Sequence, residues 1–189
     1  AFGLIVILPF MAKAGPAVFR TERPLAHLLR GCLGAGAMSC GFYSVTHMPL
    51  ADATAISFAK PLFMIVLAVL FLNEQVRWRR WTATAVGFVG VLIMVRPGSS
   101  EIGFAAGVAL LGTLFVALVV VVVKKLSTTE SPLTILFSFG IISTAIMTIP
   151  AILVWQQPTW TEMGMMLAVG ALGSAGQACA VKGFKIGEA

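Results

Sequence analysis

Long apolar runs alternate with short polar loops along this chain, and the spacing of the alternation matches a lipid bilayer. Six runs stand out, at residues 28–46, 53–73, 81–95, 103–123, 133–155 and 163–181, and a seventh at 2–11 is cut by the start of the chain. A helix rises ~1.5 Å per residue, so about 20 apolar residues cross ~30 Å of hydrocarbon. Most runs meet that length, and 81–95 is a little short. The pattern predicts an all-α membrane protein, a polytopic helical bundle with six full spans plus a partial one.

The loops carry their own signals. Ser127-Thr128-Thr129-Glu130 and Thr159-Trp160-Thr161-Glu162 have capping-box spacing ahead of the fifth and sixth runs, and Ser131-Pro132 offers a further cap with a first-turn proline. Arg96-Pro97-Gly98-Ser99-Ser100 reads as a helix stop and the boundary between two halves.

Charge then orients the bundle. Placing the loop after the first run inside puts Lys13, Arg20, Arg23, Arg30, Arg77, Arg79, Arg80, Lys124, Lys125, Lys182 and Lys185 on one face. Arg96 lies opposite, and Lys60 lies within a span. That asymmetry places the basic face in the cytoplasm and makes the protein integral to the plasma (inner) membrane, multi-pass. Trp78 and Trp81 flank an inner loop and Trp155 and Trp160 an outer one, the depth at which amphipathic rings settle.

Composition agrees: 59% hydrophobic against 11% charged, with a mean hydropathy of +0.99, leaves too little polar surface for a soluble domain. The net charge of +6 is accounted for by the inner loops. A nucleic-acid partner would need basic residues interleaved with aromatics on a soluble face, and no such face exists. Cys32, Cys40 and Cys179 fall inside runs, read as small core fillers and imply no disulfide framework.

A weak repeat underlies the order of the runs. Leu50-Ala51-Asp52-Ala53 is echoed by Ile186-Gly187-Glu188-Ala189, and at the same offset Gly34 falls on Gly170 and Ala35 on Ala171. An odd number of spans separates the copies, so they sit on opposite faces. Inverted five-helix repeats of this sort are the signature of secondary transporters. The halves are 1–97 and 103–189, joined by a linker at 98–102. On this reading the chain is a fragment lacking the first and last helices.

The stretch 49–98 carries a family resemblance: PLADATAISFAKPLFMIVLAVLFLNE, then RWRRW, then GFVGVLIMVRPG. It resembles the first repeat of EamA-type transporters of the drug/metabolite transporter superfamily. In that family the fourth helix opens on a small-residue and acidic turn, carries a mid-helix proline and closes on a glutamate. Here those are Ala51-Asp52-Ala53, Pro61 and Glu74. Lys124-Lys125-Leu126-Ser127, Thr129-Glu130-Ser131-Pro132 and Gly176-Gln177 resemble the second repeat. The resemblance implies a ten-helix carrier with both ends in the cytoplasm, moving small metabolites. One departure is Lys60, at a position before the proline that is often small or hydroxylated in such proteins.

Candidate site residues follow from polarity inside apolar runs. Lys60 is the charge deep inside a span, where its insertion costs about 2.5–3.5 kcal/mol. It either faces a wet cavity and attracts a substrate carboxylate or phosphate, or snorkels to the outer headgroups. Pro61 kinks the helix and frees a carbonyl near Ser57, which lines a site or merely accommodates the bend. Tyr43 and Gln177, on corresponding helices of the two halves, are candidate substrate contacts beside Ser39, Thr46 and Ser174, with helix-to-helix hydrogen bonding the other reading. His47, at the outer edge of its run and close in sequence to Asp52, either titrates with it as a proton relay or is a solvated interfacial residue. Gly103 and Gly107, Ala83 and Gly87, Gly170 and Ser174, and Ala37 and Gly41 have the spacing of close helix packing.

The expected function is secondary transport of small metabolites by alternating access, as export of amino acids, metabolites or drugs. The alternatives are uptake of an anionic or zwitterionic vitamin or nucleotide-derived cofactor, and a non-transporting membrane scaffold. No cofactor and no metal are implied, since paired carboxylates, HExxH and clustered Cys and His are missing from the sequence, which argues against an enzyme. The partners expected are a small-molecule substrate and the lipid bilayer, and a homodimer stays open.

Overall fold

A computed structural model describes residues 4, 21–72, 78–95 and 102–186, and among these the secondary structure is helical without strands. The helices are α1 (Pro24–His47), α2 (Leu50–Ser57), α3 (Lys60–Leu72), α4 (Trp78–Val95), α5 (Ile102–Ser127), α6 (Pro132–Leu153) and α7 (Trp160–Ile186). Every run from 28 onward is helical over most of its described residues. The expectations that fall on 2–11 apart from Leu4, on Glu74, Arg77, the helix stop at 96–100 and the repeat copy at 187–189 lie outside the described residues. So does the linker at 98–102, except for Ile102.

Length and composition let four stretches cross a bilayer: Leu50–Phe71, Gly103–Ser127, Pro132–Leu153 and Trp160–Gly183. Trp81–Val91 is the shorter apolar part of α4. The helix α1 is long enough at 24 residues but interrupts its apolar run with polar side chains, Arg30 among them. Large apolar residues point outward along these helices, with Leu153 80% and Val86 74% exposed, as suits surfaces that meet acyl chains.

The run at 53–73 is two helices rather than one. The α2 helix ends in a tight turn in which the N–H groups of Phe58 and Ala59 donate to the carbonyls of Ala55 and Ile56, at 3.1 and 2.9 Å. Lys60 and Pro61 then open α3, where a proline costs no internal hydrogen bond.

The caps divide similarly. Thr159 and Glu162 form the expected reciprocal box: Thr159 N–H donates to Glu162 Oε2 at 2.7 Å, and Glu162 N–H donates to Thr159 Oγ1 at 3.4 Å. Ahead of α6 the cap is Ser131, which accepts from Thr134 N–H at 3.1 Å with Pro132 in the first turn. The box expected from Ser127 to Glu130 does not form. Ser127 closes α5 by donating to the Lys124 carbonyl, and Glu130 bonds to a distant segment instead.

The chain packs as two compact units, whose boundaries fall inside α1 and α5. One comprises 33–121 and is built on Ile56, Ala59, Val91, Ala105 and Ala106, with Leu67, Ala117 and Val121 as a second cluster. The other comprises 1–32 and 122–189, where Leu136 packs with Leu133, Phe137 and Ala178.

Close helix contacts fall at glycines other than most of those expected. Gly41, Gly103 and Gly107 meet no neighbour within 4 Å among the described residues. Gly31 instead lets α1 approach α6, where a Cβ would lie 2.7 Å from Ile142 Cβ, and Gly112 lets α5 approach α1, where it would lie 2.8 Å from Cys40 Cβ. Cys40 is thus a half-buried filler, whereas Cys32 and Cys179 are exposed.

Cys40 Cβ is anchored to backbone and cannot swing aside. Helix propensity favours alanine over glycine by about 1 kcal/mol, but overpacking costs typically about 1–3 kcal/mol. Gly112→Ala is expected to lower the thermal midpoint of the full-length protein in detergent by a few degrees. A midpoint at or above wild type would place these two helices further apart.

Candidate functional site

Within the unit of 33–121, Lys60 is the first residue of α3 and is half-buried. Its ammonium has no hydrogen-bond or ion-pair partner among the described residues. Pro61 has no N–H to offer the Ser57 carbonyl, so the break leaves an acceptor without its helical donor. Ser57 itself is exposed, and its hydroxyl turns back to the Thr54 carbonyl. A cation, a freed carbonyl and the N-terminal end of α3 therefore occupy one interruption in an apolar span.

Tyr43 is half-buried on α1 and packs on the cluster that contains Ile56 and Ala59, the residues bracketing that interruption. Its ring stacks on His47, with centroids 4.0 Å apart and planes at 15°, and meets the edge of Phe104 at 6.0 Å. His47 Nδ1 lies 2.9 Å from the Tyr43 carbonyl. Next to the break is a cavity of about 260 Å³ lined by Leu62, Phe63, Trp81, Phe88 and other apolar groups, with Thr84 as its polar residue. Neither Lys60, Tyr43 nor Ser57 lines it.

Gln177 belongs to the other unit and leads to the residues that sequence reasoning missed. Its side-chain oxygen accepts a 3.0 Å hydrogen bond from Arg30 Nη2, while Arg30 Nη1 donates to the Ile135 carbonyl at 3.1 Å. The guanidinium also stands 4.3 Å from the Phe139 ring centre. Arg30, counted from the sequence with the basic inner face, is fully buried and clasps α1 to α6 and α7. Its Nε has no partner among the described residues. The signal was present: Arg30 lies inside the apolar run 28–46, next to the glycine that admits α6.

One turn earlier, ahead of that run, His27 is buried beside Glu130 of the α5–α6 loop, Nε2 to Oε1 3.7 Å. That is too long for a hydrogen bond, and neither ring nitrogen has one among the described residues. Burial depresses the imidazole pKa; Glu130 opposes the shift and Arg30 adds to it. Glu130 accepts from the Thr21 hydroxyl at 2.6 Å and Glu22 N–H at 3.1 Å. Its own burial works against ionisation, yet these bonds outweigh it and, with His27, hold the carboxyl below its ordinary value. No group of three or more His, Cys, Asp and Glu among the described residues is arranged to hold a metal ion.

The sequence model of the EamA-like transporter family matches residues 1–96. Over the whole chain, 35% of residues are identical to an S-adenosylmethionine uptake transporter of Rickettsia prowazekii (strain Madrid E), of which 64% is covered. A pseudopaline exporter of Pseudomonas aeruginosa is 33% identical over 97% of the chain and 65% of its own length. A riboflavin transporter of Rhizobium johnstonii is 37% identical over 71% of the chain and 44% of its own length. The chain thus spans just under two thirds of the length of its full-length matches. No solved structure matches.

Proposed function

Because the chain belongs to the EamA-like transporter family, an integral, multi-pass family of the plasma membrane, we propose that the full-length protein is a secondary transporter working by alternating access. In this reading each of the six apolar runs crosses the bilayer. The repeats at 1–97 and 103–189 are inverted, and ten helices leave both ends in the cytoplasm. The direction is uptake and the cargo is a small metabolite with an anionic group, of the kind named for the Rickettsia relatives.

The observation that carries this reading is Lys60. An unpartnered ammonium inside an apolar span has an energetic cost that packing does not explain, and ionisable groups so placed serve pathways. Broken helices whose N-terminal ends face an anion are how such carriers hold carboxylates near the midplane. Lys60 is the substrate's anionic contact, the Ser57 carbonyl and Tyr43 border it, and Pro61 sets the bend. Gln177 is a separate candidate substrate contact within its own unit, where Arg30 now holds it. The test is uptake of labelled S-adenosylmethionine by the reconstituted full-length protein, with riboflavin as competitor. Saturable uptake supports the reading, and vesicles no faster than protein-free ones reject it.

Export is the second reading, favoured by the pseudopaline exporter's 33% identity over 97% of the chain. Faster efflux than influx under equal, opposed gradients would select it.

A further inference from the structure

We propose that His27 is a proton-binding site and that a proton taken up there opens the Arg30 clasp, making the proton the coupling ion; this rests on the transporter reading above. The geometry points to it through three buried nitrogens without hydrogen bonds among the described residues: both of His27 and Nε of Arg30. A neutral imidazole has one nitrogen lone pair free, and that lone pair accepts a proton from water to give an imidazolium.

In the packed arrangement that proton is poorly compensated. The charged groups bearing on the ring are Glu130 at 3.7 Å and Arg30 one turn along the same helix. The α6 helix carries no charged residue, and Lys182 of α7 is exposed. Glu22 and Arg23 ahead of α1 and Lys125 at the end of α5 are also exposed, and Lys124 is half-buried. Two cations would then share one buried carboxylate that already serves Thr21 and Glu22 N–H.

Exposing these buried charges to solvent relieves the cost, so a proton on His27 favours an arrangement in which α1 has parted from Ile135 and Gln177. By reciprocity, whatever opens the clasp draws a proton onto His27. Both Glu130 and Gln177 lie toward the chain's basic, inner end, so the device acts on that side of the membrane.

Hydrogen exchange on the full-length protein in lipid nanodiscs, corrected for intrinsic rates, reads the clasp without any substrate. Protection across 21–31 and 133–139 is expected to fall about tenfold between pH 7.5 and 5.5 in wild type and to stay level in His27→Gln. An unchanged pH response in His27→Gln, or none in wild type, overturns the proposal.

Glu130→Gln guards against a His27 variant that does not fold. It removes the attraction for the imidazolium, so the acid response is expected to persist and enlarge. Its loss would assign the proton to Glu130 and overturn the proposal. S-adenosylmethionine counterflow run beside these measurements judges the transport reading separately, because exchange protection answers whether or not that compound is carried.

Discussion

Replacing Arg30 by methionine is expected to destabilise the full-length protein by about 3 kcal/mol, the largest loss from any single side chain in the unit of 1–32 and 122–189. Methionine fills most of the volume but leaves the Ile135 carbonyl and the Gln177 amide oxygen without their donors. Losing the donor to the buried Ile135 carbonyl costs about 1–3 kcal/mol, the part-buried bond to the exposed Gln177 adds less, and the lost stack over Phe139 adds to both. In a chain of this size that is a drop of roughly 8 °C in thermal midpoint. Arg30→Lys should recover only part, since an ammonium cannot span two acceptors on different helices while lying over a ring. The decisive comparison is Arg30→Met with Gln177→Leu. Removing both ends of the bond is cheaper than removing one, so the pair should be more stable than the sum of the single losses. Arg30→Met with an unchanged midpoint would mean that the guanidinium sits in water.

Arg30 also marks where sequence reasoning stopped. Features set by nearest neighbours were legible: Ser131-Pro132 and the Thr159–Glu162 box act within one turn, and their chemistry is the same in any fold. The apolar runs were legible because a bilayer imposes one length on all of them. The clasp was not, because its bonds join residues 105 and 147 positions apart. Counting Arg30 among loop charges was right about which end of the helix it occupies and silent about its direction. Glu130 failed for the same reason. Its spacing from Ser127 satisfied a local rule, but Thr21 and Glu22 N–H, 109 and 108 residues away, competed for the carboxylate. Pro61 announced a disturbance in the run 53–73 without saying that a full break at 58–59 would precede it. Gly31 and Gly112 were missed because small-residue spacing names two positions on one helix, while close approach needs a large partner on another.

Lys60→Gln is expected to raise KM for S-adenosylmethionine by about 10–100-fold, or roughly 1.4–2.8 kcal/mol of lost attraction, while leaving the fold intact. The ammonium contributes no internal hydrogen bond among the described residues, so a neutral amide removes nothing that packing uses. The thermal midpoint should stay level or rise, the reverse of Arg30→Met, because a half-buried unpaired charge is strain kept for function. Lys60→Arg should retain a cation at the start of α3 and lose less than tenfold in KM. A cargo without an anionic group gains nothing from the ammonium. Riboflavin inhibition, if measurable, should therefore be nearly the same in wild type and Lys60→Gln, separating loss of charge recognition from general damage. Equal KM values for S-adenosylmethionine in both proteins would mean that the stem carries the ammonium to the outer headgroups. The break at 58–59 would then serve helix packing rather than an anion.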